Sequence, residues 1–181
     1  MKTGKKRRSL GSIAVRARPG DRSKGILIAA QWQLPVALGR SGIKANKLEG
    51  DGATPRGRFR AVRLWWRADR LRRPATRLPI RPIRSDDGWC EDPADRHYNR
   101  AIRLADGQPG DRLRRDDRLY DLIIELDHNT RPRVTGRGSA VFIHVARPGF
   151  APTAGCVALR APLLGRLLEQ IGPKTWIAIG I

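Results

Sequence analysis

The chain has 181 residues, 40% of them hydrophobic, which suffices for one substantial core and leaves little room for a second domain. No run reaches the roughly eighteen apolar residues of a membrane-spanning helix, and two cysteines cannot form a disulfide framework. Thirty of the 37 cations are arginine and only 17 acids oppose them, so the net charge of +20 calls for an anionic partner. Charge alone does not make a nucleic-acid reader. There is no zinc-finger spacing, recognition-helix signature or aromatic RNA-binding pattern, and no specific nucleic acid is expected.

Residues 1–24 carry nine cations and one acid. Arg16 and Arg18 interrupt the apolar positions that follow Lys5-Lys6-Arg7-Arg8, so no signal-peptide core develops there. The segment reads as a basic N-terminal tail or edge segment, with the domain proper over 25–181. Ile26 to Ala30 and Leu34 to Leu38 read as short strands, and Pro35 places the second at an edge. Gly39 to Gly52 is loop, without the phosphate-cradling pattern. Thr54-Pro55-Arg56-Gly57 has turn chemistry, and Phe59 to Trp66 follows as strand.

Pro74, Pro79 and Pro82 make Arg67 to Arg84 an extended excursion rather than a helix. Trp89 and Tyr98 come next, each able to line a groove or fill a core. Leu119 to Leu126 reads as a buried strand, which His128-Asn129 ends. Near the C-terminus, Pro162 opens a helix whose Leu163, Leu164, Leu167, Leu168 and Ile171 share a face until Gly172-Pro173 stops it. Thr175 to Ile181 alternates as a closing strand. The fold class that results is mostly β, a single β-sandwich or barrel-like domain with one short C-terminal helix.

The chemistry concentrates in Val141 to Leu159. Val141, Phe142, Ile143 and Val145 put His144 on a short strand, and Pro148, Gly149 and Pro152 break it. Val157 to Leu159 starts a second apolar run just after Gly155-Cys156, so a hairpin-like return would set Cys156 beside His144. An imidazole partner would lower the thiol pKa and raise its thiolate fraction. Gly155 would let the backbone approach a reacting carbonyl, and the Cys156 amide would face the developing oxyanion. The same residues also suit buried packing, in which case the chain is a non-catalytic basic module binding nucleic acid or an anionic wall polymer. A metal site from Cys90, His97, His128 and Cys156 lacks any paired ligand spacing, so neither metal nor cofactor is expected. His128 ranks third as a candidate, a turn residue at a strand end.

His144 with Thr153, Gly155 and Cys156, preceded by Gly50-Asp51-Gly52-Ala53-Thr54-Pro55-Arg56-Gly57-Arg58-Phe59, resembles the YkuD-type L,D-transpeptidases. Gly88-Trp89-Cys90, Tyr98-Asn99 and Gly138-Ser139-Ala140 extend the likeness, which runs from about Gly39 onward. It implies the L,D-transpeptidase catalytic fold, with Cys156 as nucleophile, His144 as base, and Gly155 and Cys156 at the oxyanion. Trp89, Tyr98, Thr153 and Ser139 are then the expected substrate contacts. The implied substrate is a peptidoglycan stem peptide, with cross-linking or remodelling of the wall as the outcome and the cell envelope or periplasm as the place; the absence of a recognisable signal peptide leaves the cytoplasm as the alternative. L,D-carboxypeptidase or amidase-type hydrolysis is the alternative on the same fold. Ala154 stands where the family usually has a second histidine, and Ala158 where it usually has an arginine.

Overall fold

The computed structural model describes residues 9–108 and 110–181. Its strands are β1 (Ser12–Arg18), β2 (Asp21–Ala29), β3 (Trp32–Ala37), β4 (Ile43–Lys44), β5 (Thr54–Pro55), β6 (Gly57–Trp66) and β7 (Ile80–Pro82). They continue as β8 (Asp87–Trp89), β9 (Ala101–Arg103), β10 (Asp111–Arg112), β11 (Leu122–Leu126), β12 (Phe142–Val145), β13 (Val157–Leu159) and β14 (Trp176–Ile179), with helix α1 (Ala161–Gln170) before the last. Eight strands close a ring. From β6 it passes through β11, β12, β13, β3, β2, β1 and β14, and β14 pairs again with β6. The domain is thus barrel-like and mostly β with one helix.

Side-chain alternation explains the closure. Ile13 and Val15, Leu27 and Ala29, Leu34 and Val36, Ile143 and Val145, Val157 and Leu159, and Ile177 and Ile179 all point into one core. Leu164, Leu167, Leu168 and Ile171 of the α1 region join that core, with Pro162 at the start of the helix. On β6 the alternation slips, because Glu125 pairs with Arg63 and Leu126 with Ala61, leaving Val62 as a bulge. Ala61 and Leu64 therefore face the same core.

β11 and β12 are buried on both faces. Their outward side chains Ile123 and Phe142 cluster with Trp65, Ile83, Trp89, Leu113, Ala140 and Cys156. The cover over this outer face is the three-stranded sheet β10-β8-β9, supplied by the segment that follows the proline-broken excursion. The candidate site lies on this outer face.

Three expectations are corrected. β1, within the expected tail or edge segment, is an inner strand: it pairs with β14 on one side and β2 on the other, because Ile13 and Val15 are core positions, while residues 1–8 of that segment lie outside the described residues. β3 sits between β2 and β13, and Pro35 is tolerated because β13 touches it only through Ala158 and Ala37. Finally, β12 and β13 are parallel, with His144 opposite Ala158, so residues 146–156 form a crossover and not a hairpin.

Candidate active site

The parallel register fixes which residues meet. Ile143 lies opposite Val157 and His144 opposite Ala158, so Cys156 falls beside Phe142 on the outward face that also carries His144. Cys156 and His144 line one cavity of about 550 Å³, together with Thr153, Ala158 and the charged residues Arg40, Glu91, Asp111, Arg115 and Arg147. Cys156 also lines a second, smaller cavity of about 220 Å³ with Ser139, Lys47, Glu49, Glu91 and Gly155. The thiol thus stands where two cavities meet.

The thiol is held by backbone. Its Sγ donates to the Ala140 carbonyl at 3.2 Å and accepts from the Phe142 N–H at 3.4 Å. Ala140 has a φ of 50°, an unusual left-handed setting for alanine that aims its carbonyl at the sulfur. Asn99 holds Ala140 there. Its Oδ1 accepts the Ala140 N–H at 3.2 Å and the Trp89 Nε1–H at 3.1 Å, while its Nδ2 donates to the carbonyls of His128 and Asn129.

Burial dominates the electrostatics. The Cys156 thiol is pushed up to about 12, chiefly by desolvation, and no hydrogen bond joins it to His144. The expected thiolate-favouring pair is therefore absent from the resting site, where thiol and imidazole are both neutral. Desolvation lowers the His144 imidazole to about 4, and the nearby Arg115 and Arg147 charges add to that. His144 Nδ1 lies 2.8 Å from the Val145 carbonyl, which can only accept, so Nδ1 carries the hydrogen and Nε2 presents a lone pair. The Tyr120 ring meets His144 edge-on at 5.4 Å, and its hydroxyl donates to Asp111.

The turn before Cys156 depends on the early Thr-Pro segment. Thr153 Oγ1 donates to the Cys156 carbonyl at 2.7 Å and accepts the Gly155 N–H at 3.1 Å. Gly155 has a φ of 151°, and a Cβ there would lie 2.8 Å from the Ala53 carbonyl oxygen. Thr54 Oγ1 accepts the Gly39 N–H, and Arg40 N–H donates to the Thr153 carbonyl. The two motifs separated by a hundred residues are one packed unit. Gly155 serves that packing, and its N–H is already bound to Thr153.

The expected substrate contacts divide. Thr153 and Ser139 reach the cavities. Trp89 and Tyr98 do not: both are buried in the wall, Trp89 edge-on to Phe142 at 5.0 Å, and Tyr98 with its hydroxyl on Glu49. His128 lies apart, its Nε2 against the Arg137 carbonyl and its ring against Phe59. Among the described residues no cluster of His, Cys, Asp or Glu suits a metal ion. Sequence reasoning missed the charged cavity residues. Glu91, next after Cys90, and Asp111 carry no periodic or motif signal that distinguishes them.

A closed barrel whose outer face holds a thiol and an imidazole in one cavity under a small second sheet defines a β-barrel domain with a candidate cysteine site. A family model described as the L,D-transpeptidase catalytic domain (YkuD) matches residues 26–179, and the chain belongs to that family. No curated protein and no solved structure gives a significant match. The family acts on peptidoglycan and is associated with the cell wall. Among the described residues no helix is long and apolar enough to cross a membrane.

Proposed function

We propose that the chain is a cysteine-dependent acyltransferase acting on peptidoglycan stem peptides, an L,D-transpeptidase in which Cys156 is the nucleophile and His144 the base. The observation that carries this reading is the shared cavity, which Cys156 and His144 both line, with His144 Nδ1 engaged by the Val145 carbonyl. The donor carbonyl, at a bond between an L and a D centre, docks over Cys156. The thiol hydrogen leaves the Ala140 carbonyl for His144 Nε2 as sulfur attacks, so no preformed thiolate is needed. The Cys156 N–H faces the tetrahedral oxygen, a contact worth about 3 kcal/mol. His144 then gives the proton to the departing D-residue amine, leaving the acyl group on sulfur. An amine accepts it in transpeptidation and water in hydrolysis.

Arg40, Arg115 and Arg147 surround the cavity in which Ala158 stands. They supply positive charge for a donor carboxylate where the family's usual arginine is missing. Ser139 and Thr153 are the remaining substrate contacts.

Incubation with a purified stem tetrapeptide should give an acyl adduct on Cys156 in intact-mass and peptide-mapping spectra. His144→Gln should slow its formation by roughly 10²- to 10⁴-fold, the range for a positioned base. His128→Gln should leave it within a few-fold. A dead His128 variant beside an active His144 variant would refute the assignment. The neutral, buried thiol favours one second reading, a basic module that binds an anionic wall polymer without chemistry. Polymer binding with no adduct on Cys156 would establish that reading instead.

A further inference from the structure

The candidate site occupies one side of the ring, and the opposite side is open to solvent. In the order of the eight strands β1 lies opposite β12 and β14 opposite β13, so the outward face of β14 and β1 looks away from both cavities of Cys156. Register places its side chains. Trp176 sits between Ser12 and Arg60, Ala178 between Ala14 and Arg58, while Ile28 lies beyond Ala14 and Ile26 beyond Arg16. Three strand spacings by six residue steps make this face about 14 by 20 Å.

Its middle is apolar. Ala14, Ala178, Ile26 and Ile28 are only half-buried, and the two isoleucines belong to neither core cluster. Cations bound it on three sides: Arg58 and Arg60 on β6, Arg16, Arg18 and Arg56 at the far end, and Lys174 just before β14 at the near end. None of these six forms an ion pair among the described residues. The nearest acids are already engaged, Asp21 by Lys24, Glu125 by Arg63, and Asp127 by the Arg60 N–H. Trp176 is 38% exposed, with the Arg60 guanidinium 3.4 Å from its ring centroid, and Ile181 is 46% exposed. A shallow cavity of about 380 Å³ opens at the far end, between Arg16 and Arg56 and against Ile43 and Ile181. Two guanidiniums beside two isoleucines suit a phosphate with hydrocarbon just behind it.

We infer that the β14–β1 face is a docking surface for an anionic phospholipid bilayer, with its arginines on the lipid phosphates and Trp176, Ile26, Ile28 and Ile181 at the headgroup boundary. Exposed apolar groups among unmatched arginines favour a bilayer over a dissolved polyanion, because a polyanion gains nothing from isoleucine. They also disfavour a stacking reader of single strands, since Arg60 already covers one face of the exposed indole. Long arginine side chains reach a plane from a convex barrel wall. Docked in this way, the barrel holds the Cys156 cavities on the side away from the lipid. The contact is independent of the acyl-transfer reading, because none of its residues lines those cavities.

The test is co-sedimentation of the full chain with phosphatidylcholine vesicles, with and without about 30% phosphatidylglycerol. Binding should require the anionic lipid and weaken as salt rises. The triple variant Arg16→Gln, Arg56→Gln, Arg58→Gln should bind about 10²-fold more weakly, at about fivefold per charge. A control triple, Arg72→Gln, Arg96→Gln, Arg131→Gln, removes the same charge from exposed positions elsewhere and should stay within about threefold. Trp176→Ala should weaken vesicle binding roughly tenfold and leave binding to soluble polyphosphate unchanged. No binding to the anionic vesicles, or equal losses in the two triple variants, would overturn the surface. Vesicle binding that ignores Trp176→Ala and is competed away by polyphosphate would make the face a polymer reader and overturn the bilayer. Binding that survives the first triple but is lost with Lys5→Gln, Lys6→Gln, Arg7→Gln and Arg8→Gln would move the contact to the N-terminal segment and overturn the assignment as well.

Discussion

Replacing Asn99 with alanine tests the support behind the thiol. Asn99 is 3% exposed and makes four hydrogen bonds of 2.9–3.2 Å, so truncation strands the Trp89 Nε1–H and the Ala140 N–H in the interior. Each stranded donor costs about 1–3 kcal/mol. The two carbonyls that lose Nδ2 add less, because each keeps a second lone pair for other partners. Asn99 also has a φ of 55°, a region where alanine pays about 1 kcal/mol more than asparagine. The expected loss is about 4–6 kcal/mol, against a total stability of about 5–15 kcal/mol. Urea unfolding followed by circular dichroism measures it. Asn99→Gly loses the same hydrogen bonds but relieves the backbone, so it should recover about 1 kcal/mol of the deficit. The Asn99→Ala protein should also release Ala140 and change the alkylation rate of Cys156. A loss below about 1 kcal/mol would refute the claim that Asn99 holds the wall, since two stranded buried donors cannot be that cheap.

Three further outcomes follow from the site. His144 is buried neutral with its imidazole lowered from 6.5 to about 4, so the unfolded chain binds a proton that the folded one refuses, and stability should be full above pH 6.5 and fall as pH drops toward 4 by about 3 kcal/mol. In His144→Gln that acid limb should flatten, and an unchanged limb would show that other groups cause it. With the Cys156 thiol pushed up to about 12, its iodoacetamide labelling should be slow at neutral pH and keep rising beyond pH 9, whereas a plateau below pH 8 would reveal a thiolate partner that the structure lacks. Gly155→Ala places a Cβ 2.8 Å from the Ala53 oxygen, and should cost about 1–3 kcal/mol and slow acylation; wild-type behaviour would mean that the two segments separate freely.

Several features were legible in the sequence for local reasons. β-branched runs marked β2, β11, β12 and β14, and the leucine spacing after Pro162 marked α1, because these elements bury a regular face. Cys156 and His144 stood out as reactive types beside turn residues. The parallel setting of β12 and β13 was not legible, because two short apolar runs around Pro148-Gly149 look the same whether the chain turns back or crosses over. What decides it is remote: Leu38, Gly39 and Arg40 bind Thr153 and hold the crossover against the Thr54 turn. Trp89 and Tyr98 were equally ambiguous, and only the second sheet makes them wall. Glu49, Glu91 and Asp111 come from segments up to sixty-two residues apart in the sequence, so no local pattern announces that they converge.

The place of β14 in the ring has a consequence in time. β14 lies between β1 and β6, pairing Ile13 with Ile177 on one side and Phe59 with Ile177 on the other. Among the described residues it is the last strand in sequence, and until it arrives the ring has an open seam across which β1 and β6 cannot bond. Ring closure therefore waits on contacts between residues more than 160 positions apart, the kind that make folding slow. While the seam is open, the core behind β12 and β13 lacks Ile177 and Ile179, and the strands carrying His144 and leading from Cys156 have no finished barrel to stand on. The strands that carry His144 and lead from Cys156 are thus made before the one that closes their frame, and the two side chains are held in register only once β14 has docked between β1 and β6.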